Sequence, residues 1–543
     1  MNRLNFPKTI TCLIAVYATC FTILFDCLNG HAVAQDSDAS KSEPAKKYGV
    51  WEIVKDESGK NDIRRMHLRV YPAAAPKPAF KHRLVPAANE RVDGNSALFY
   101  LKAMGFFEQR NAREALTKLE RKWREEATPE QRSTYDYAPH TLQGAAPESL
   151  PMEQAKEYLD LLDFQTEFLY DAARRTRFEH DRAIERESNP IGYLLPSIQG
   201  HRNLARVQDV RCRYAIAQGR IDDAIEIVGQ MMTMGRHLGS DEFLVTCLVG
   251  AAIHGIGIET AFELSQHPET PNLYWAIAAS PTPVINLSRA FAFEREFLYL
   301  QIPMLKEVTE EVRSPDFWAS FTKRFVTEYN KFVEESNGWG NPKSNKLDHF
   351  QLATSIAKDY PTAREFLKEF VGLPDTQLDK YPKAQVVFLA IVNYYEFAQD
   401  EGMKQFVIPS SSRRRNGESE LLETWRKRFA SDQPGLNQSF LALGGVLVTA
   451  HEQVLYAADR VDQHQNLWQT VEALRMTAAE NGGVFPKSLE QLCVPAPLDP
   501  LTNRPFEYEL EGGVATLRGA RGRRLKYEIH LELVNQNQQE GSE

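Results

Sequence analysis

The chain has 543 residues, 43% hydrophobic and 25% charged, with 64 basic and 73 acidic side chains and a formal net charge of −9. That length exceeds one ordinary domain and is ample for a large core. The acidic balance argues against nucleic-acid binding, and six cysteines, three of them Cys12, Cys20 and Cys27, make neither a disulfide framework nor a metal-ligand cluster.

Residues 1–34 read as a secretory signal peptide. Arg3 and Lys8 supply the positive start, Ile10 to Phe25 the apolar stretch, and Ala32-Val33-Ala34 a small-x-small cleavage signal. An uncleaved anchor is the alternative, and Asp26 is a poor neighbour for a lipidated Cys27. Cleavage after Ala34 takes two basic groups and one acidic group from the 64 and 73, leaving −10. No later stretch reads as a continuous apolar run of membrane-spanning length. The expected location is therefore periplasmic or extracellular.

Residues 35–47 are polar and read as a disordered tether. Residues 48–92 form a short β or irregular segment, with alternation at Val50 to Val54 and Met66 to Tyr71 and a Pro-rich connector from Pro72 to Pro78. An α-helical body is expected over 93–451. Within it Gly219 separates two helical patterns, about Leu204–Gln218 and Ile221–Leu238. The second carries Ile221, Ala224, Val228, Met231 and Leu238 at spacings of three and four. A third helix, about Glu242–Leu264, holds Gly250, Gly255 and Gly257, which suggests close helix contact or a break. Gly219 with Ala224 five residues later resembles the tetratricopeptide repeat (TPR) pattern, although Val228 stands where that family has Phe or Tyr. Cys212 and Cys247 fall on neighbouring helices, so a bridge between them is open.

Thr270-Pro271 starts a short helix bearing Tyr274 and Trp275, and an aromatic-rich helix follows over about Val284–Ile302. Tyr274 and Trp275 are candidates to line a binding groove, with core packing the bland alternative. Arg289 and Glu294 on the aromatic helix are further binding candidates. Glu294 and Glu296 would be the first carboxylates to mutate, against a bland reading of a solvated face paired to Arg289 and Arg295. Breaks are expected at Asn337-Gly338-Trp339-Gly340 and Gly372-Leu373-Pro374, and Arg413-Arg414-Arg415 reads as a solvated basic loop.

Residues 452–533 change character. A long helix, about Val454–Asn481, has the stripe Leu455, Ala458, Val461, Leu467, Val471, Leu474 and Ala478, and ends at Gly482-Gly483. Phe506, Tyr508 and Leu510 alternate, Gly512-Gly513 marks a hairpin turn, and Leu525, Tyr527, Ile529, Leu531 and Leu533 alternate again. The expectation is a helix on a three-stranded antiparallel sheet, with 534–543 a disordered tail. The Asp499-Pro500-Leu501-Thr502-Asn503-Arg504-Pro505-Phe506 loop after that helix resembles the C-terminal half of type II secretion pseudopilins, in shape only. The segments Phe80 to Pro86, Leu194 to Gln199, the Gly219 region, Asn272 to Trp275, Tyr381 to Val387 and the Asp499 loop together resemble uncharacterised exported bacterial proteins, a resemblance that implies export and brings no activity.

The fold class expected is mainly α, a TPR-like helical-repeat body with a small C-terminal α+β module. No GxSxG, P-loop or GxGxxG motif occurs, and His451-Glu452 lacks the second histidine of a zinc protease because Leu455 stands there. No cofactor, no metal and no catalytic residue is assigned. The leading function is an exported scaffold that binds a protein or cell-envelope component. A cell-envelope hydrolase using a carboxylate pair, and a structural part of a secretion or envelope assembly, are the alternatives.

Overall fold

A computed structural model describes residues 47–534, apart from 57, 60, 106–108, 136–137, 181–195, 337–346, 414–419, 430–450 and 523–524. The expected signal segment, most of the tether, the tail, the Asn337–Gly340 break, and Arg414 and Arg415 lie outside the described residues. The protein is mostly helical, 60% helix and 11% strand, with its sheet region formed largely by C-terminal strands.

The sheet has five strands. These are β1 (Glu52–Lys55), β2 (Asp62–Val70), β3 (Glu507–Glu511), β4 (Val514–Arg518) and β5 (Leu525–Leu533), in the order β1-β2-β5-β4-β3. The expected three antiparallel strands are present, and β3 joins β4 through Gly512 and Gly513 at φ +56° and +84°, the positive values a type I′ turn requires. The expected separate N-terminal segment needs correction. β1 and β2 form an antiparallel hairpin, and β2 then runs parallel to β5, with Asp62 opposite Leu525 and Val70 opposite Leu533. A lone three-stranded sheet would leave the backbone groups of β5 unpaired along one edge, and β2 covers them. The whole helical body is the crossover between these two parallel strands.

Nine helices carry the argument: α1 (Gln165–Ala173), α2 (Pro196–Ala217), α3 (Ile221–Leu238), α4 (Leu244–Ser265), α5 (Tyr274–Ala278), α6 (Ser288–Gln301), α7 (Pro315–Ser336), α8 (Lys383–Val407) and α9 (His451–Glu480). All seven residues of the predicted α9 stripe are buried. Its lower half, Leu467, Val471, Leu474 and Ala478, shares one core with Met66, Leu68 and Val70 of β2, Ala515 and Leu517 of β4, and Tyr527, Ile529 and Leu531 of β5. Leu525 and Leu533 are only half-buried. α3 and α4 enter the same core through Met231, Met232, Ile258 and Phe262, so the sheet is fused to the helical body.

Two devices fix that fusion. Glu472 and Arg475 of α9, neither with any exposed side-chain surface, pair at 2.8 Å. Glu472 also accepts from Ser265 Oγ and the Leu273 amide, while Arg475 donates to the carbonyls of Tyr71 and Thr270. Satisfied this way, a buried pair specifies one arrangement of four segments. Asp499 is 1% exposed, and its carboxylate accepts from Gln463 of α9 and from the amides of Leu501 and Ala520. The Asp499 loop is thus a structural knot between helix and sheet.

α3 and α4 cross backbone to backbone. A Cβ on Gly250 would lie 2.5 Å from the Gly235 carbonyl oxygen and 2.5 Å from the Gly239 nitrogen. Gly250 therefore marks close contact, one of the two readings expected, while a Cβ on Gly255 would meet nothing within 4 Å. α4 bears on the membrane expectation by length and composition only. It is long and apolar enough to cross a membrane, but it is mostly buried and packs against α2, α3 and α9. Cys212 and Cys247 are separate buried thiols without a bridge, and Cys493 is exposed. A second, aromatic-rich core joins α7 and α8 through Trp318, Phe321, Phe325 and Phe388.

Candidate functional site

The Pro-rich connector leaves β2 and becomes a strap, residues 80–86, lying across α3. Leu84 is 2% exposed and plugs the core beside Ile225, Val228 and Met232. Gly229 makes this approach possible, since a Cβ there would sit 2.7 Å from the Leu84 carbonyl oxygen. Between the strap, α1 and α3 opens a cleft of ≈ 390 Å³.

Its walls differ in charge. Lys81, Arg83 and Arg174 stand on the strap and at the end of α1, while Asp222 and Glu226 stand on α3. Arg174 donates to the Glu90 carbonyl at 2.9 Å and lies 5.1 Å over the Tyr170 ring, so its guanidinium is held in place. Glu90 accepts from the Ala87 amide at 2.8 Å and stands 3.7 Å from Arg83. His82 Nδ1 is 3.5 Å from Asp222. Burial lowers the His82 pKa, partly opposed by Asp222. Such half-exposed pairs add little stability and leave the side chains free to re-pair with a ligand. Among the described lining residues there is no serine or cysteine, and Thr233 Oγ1 accepts from Arg236. The arrangement suits reversible binding of a polar chain with charges of both signs.

The four residues singled out in the sequence are dispersed. Trp275 stands at the strap's start, edge-on to Phe80 with ring centroids 6.4 Å apart. Its neighbour Tyr274 packs in a small core with Ala473 and Met476, and its hydroxyl donates to the Pro495 carbonyl at 2.7 Å. Arg289, on α6, is half-exposed and 3.9 Å from Glu179. Glu294 is 6% exposed, and burial pushes its carboxyl up to about 8. The expected pairing among Arg289, Glu294, Arg295 and Glu296 does not form. Arg295 meets Asp400 at 3.1 Å and Glu296 faces Lys306 at 3.5 Å. The helix phase turns Glu294 inward, where Tyr395 donates to its backbone carbonyl at 2.7 Å. The strap itself has no periodicity to read, and the sequence signal for it was Gly229 inside an otherwise amphipathic helix. No protein family, curated protein or solved structure matches the chain.

Proposed function

We propose that this is an exported, mainly helical binding protein that holds an extended polar segment of a protein or cell-envelope partner in the strap cleft. The observation carrying the reading is the opposed charge of the cleft walls, with Lys81, Arg83 and Arg174 facing Asp222 and Glu226. A TPR-like origin of the body is part of the proposal. Gly219, at φ +69°, joins α2 to α3, and Ala224 is fully buried with its carbonyl 3.5 Å from Cys212 Sγ. Export rests on the charged, apolar and Ala-Val-Ala sequence of residues 1–34.

Envelope extracts captured on the wild-type protein and on an Asp222→Lys, Glu226→Lys double variant test the reading. Both positions are exposed, so the variant keeps the fold. A partner retained by the wild type and lost from the variant supports it. Identical capture by both proteins refutes the cleft as the binding surface.

A further inference from the structure

The strap cleft has two ends, and a different charge is left over at each. Asp222, Glu226, Gly229, Gln230 and Thr233 follow one another along one face of α3, and all five line the cleft. His82 on the strap stands 3.5 Å from Asp222 at the start of that row. The Glu226 carboxylate accepts from Gln230 at 3.2 Å, and among the described residues no cation pairs with it.

At the other end the excess is positive. The Arg175 carbonyl accepts from His237 Nε2 at 3.2 Å, which sets the end of α1, and with it Arg174, beside the end of α3. Arg174 donates through Nε to the Glu90 carbonyl, and the Glu90 carboxylate faces Arg83 instead. Arg236, one turn beyond Thr233, donates through Nη2 to Thr233 Oγ1 at 2.5 Å, while its Nη1 is buried without a hydrogen-bond partner. Among the described residues neither Arg174 nor Arg236 forms an ion pair with a carboxylate. Thr233 carries that charge to the cleft. It is 4% exposed and lines the cleft, and its hydroxyl hydrogen has no acceptor among the described residues. A hydroxyl that accepts from a guanidinium is polarised as a donor. A largely buried guanidinium without a counter-charge is costly until an anion approaches it.

We propose that the Arg174 and Thr233 end of the strap cleft is a carboxylate subsite, and that the partner is a peptide with an acidic side chain there and a basic one at Glu226. This rests on the reading of the cleft as the binding surface and adds what the bound chain must carry. Glu226 and Arg236 are ten positions apart on one helix, so roughly 15 Å separates the two ends. About four residues of extended chain span that distance. A peptide places both signs on one chain at such a spacing. Thr233 donates its hydroxyl to the carboxylate, and the Arg174 guanidinium supplies charged donors from the opposite wall. Arg236 acts through Thr233 and is a positioning residue.

Fluorescence anisotropy of the whole protein tests the subsite, with the peptides Lys-Ala-Ala-Ala-Glu and Lys-Ala-Ala-Ala-Gln, each amidated at its C-terminus and bearing a neutral dye at its N-terminus. The Glu peptide should bind the wild type about tenfold more tightly, because hydrogen bonds to a charged group are the stronger ones. Arg174→Gln and Thr233→Val should each bring that ratio towards one and leave affinity for the Gln peptide unchanged, which general damage to the fold would not do. Should Thr233→Val fail to fold, Arg174→Gln decides alone. Equal affinity of the wild type for the two peptides would overturn the subsite while leaving the cleft as a binding surface, and so would a preference that survives in Arg174→Gln and in a folded Thr233→Val. No binding of either peptide would overturn the subsite and the cleft reading together.

Discussion

Two glycines on one helix should respond to the same substitution with opposite signs. Ala is favoured over Gly inside a helix by ~1 kcal/mol. At Gly255 the new methyl enters open space, so Gly255→Ala should stabilise the protein by roughly 0.5–1 kcal/mol. At Gly250 the methyl would stand 2.5 Å from backbone atoms of both Gly235 and Gly239, about 1 Å inside ordinary contact. Backbone cannot rotate away as a side chain can, so α3 and α4 must separate. Overpacking of this kind costs ~1–3 kcal/mol or more, which outweighs the propensity gain. The variants should therefore straddle the parent in urea midpoint, followed by the fluorescence of buried tryptophans such as Trp468. Amide exchange along α3 should quicken only in Gly250→Ala. Shifts of the same sign in both variants would refute the backbone-to-backbone crossing.

Two further outcomes follow from the core. Leu474 is fully buried against the sheet, so Leu474→Asp loses ~1.5–3 kcal/mol of burial and adds an unpaired buried charge. Limited proteolysis should then cut near residue 490 and, because β2 belongs to the same sheet, also near residue 72; Glu511→Ala in the exposed hairpin is the control. If only the C-terminal cut appears, β2 is not held by this core. Glu294 gives a pH signature: its folded pKa of about 8 lies above the ordinary carboxyl value, so the folded state holds a proton that the unfolded state has released. Its contribution is fully present below about pH 4.5 and is lost as pH rises towards 8. Glu294→Gln should flatten the fall in stability between pH 5 and 8, and parallel curves for the two proteins would show that Glu294 is not buried as described.

What the sequence alone determined is local. The period of α3, the seven-residue stripe of α9, the Gly512-Gly513 turn and the alternation of β5 each reflect backbone geometry repeating over a few residues. Even the inward turn of Leu474 toward Tyr527 and Ile529 was readable, because one stripe and one alternating face have to meet. The sequence also showed that β2 alternates, but nothing local says which edge it will find. Pairing β2 with β5 depends on an open edge at the far end of the chain, and that edge exists only once α9 and the antiparallel strands are assembled. The same dependence hid the strap cleft. Lys81 and Glu226 come from separate elements, and their charges line one cleft only where tertiary packing brings them together. Glu294 shows the converse: a charged residue on an aromatic helix looks solvated until a neighbouring helix covers it.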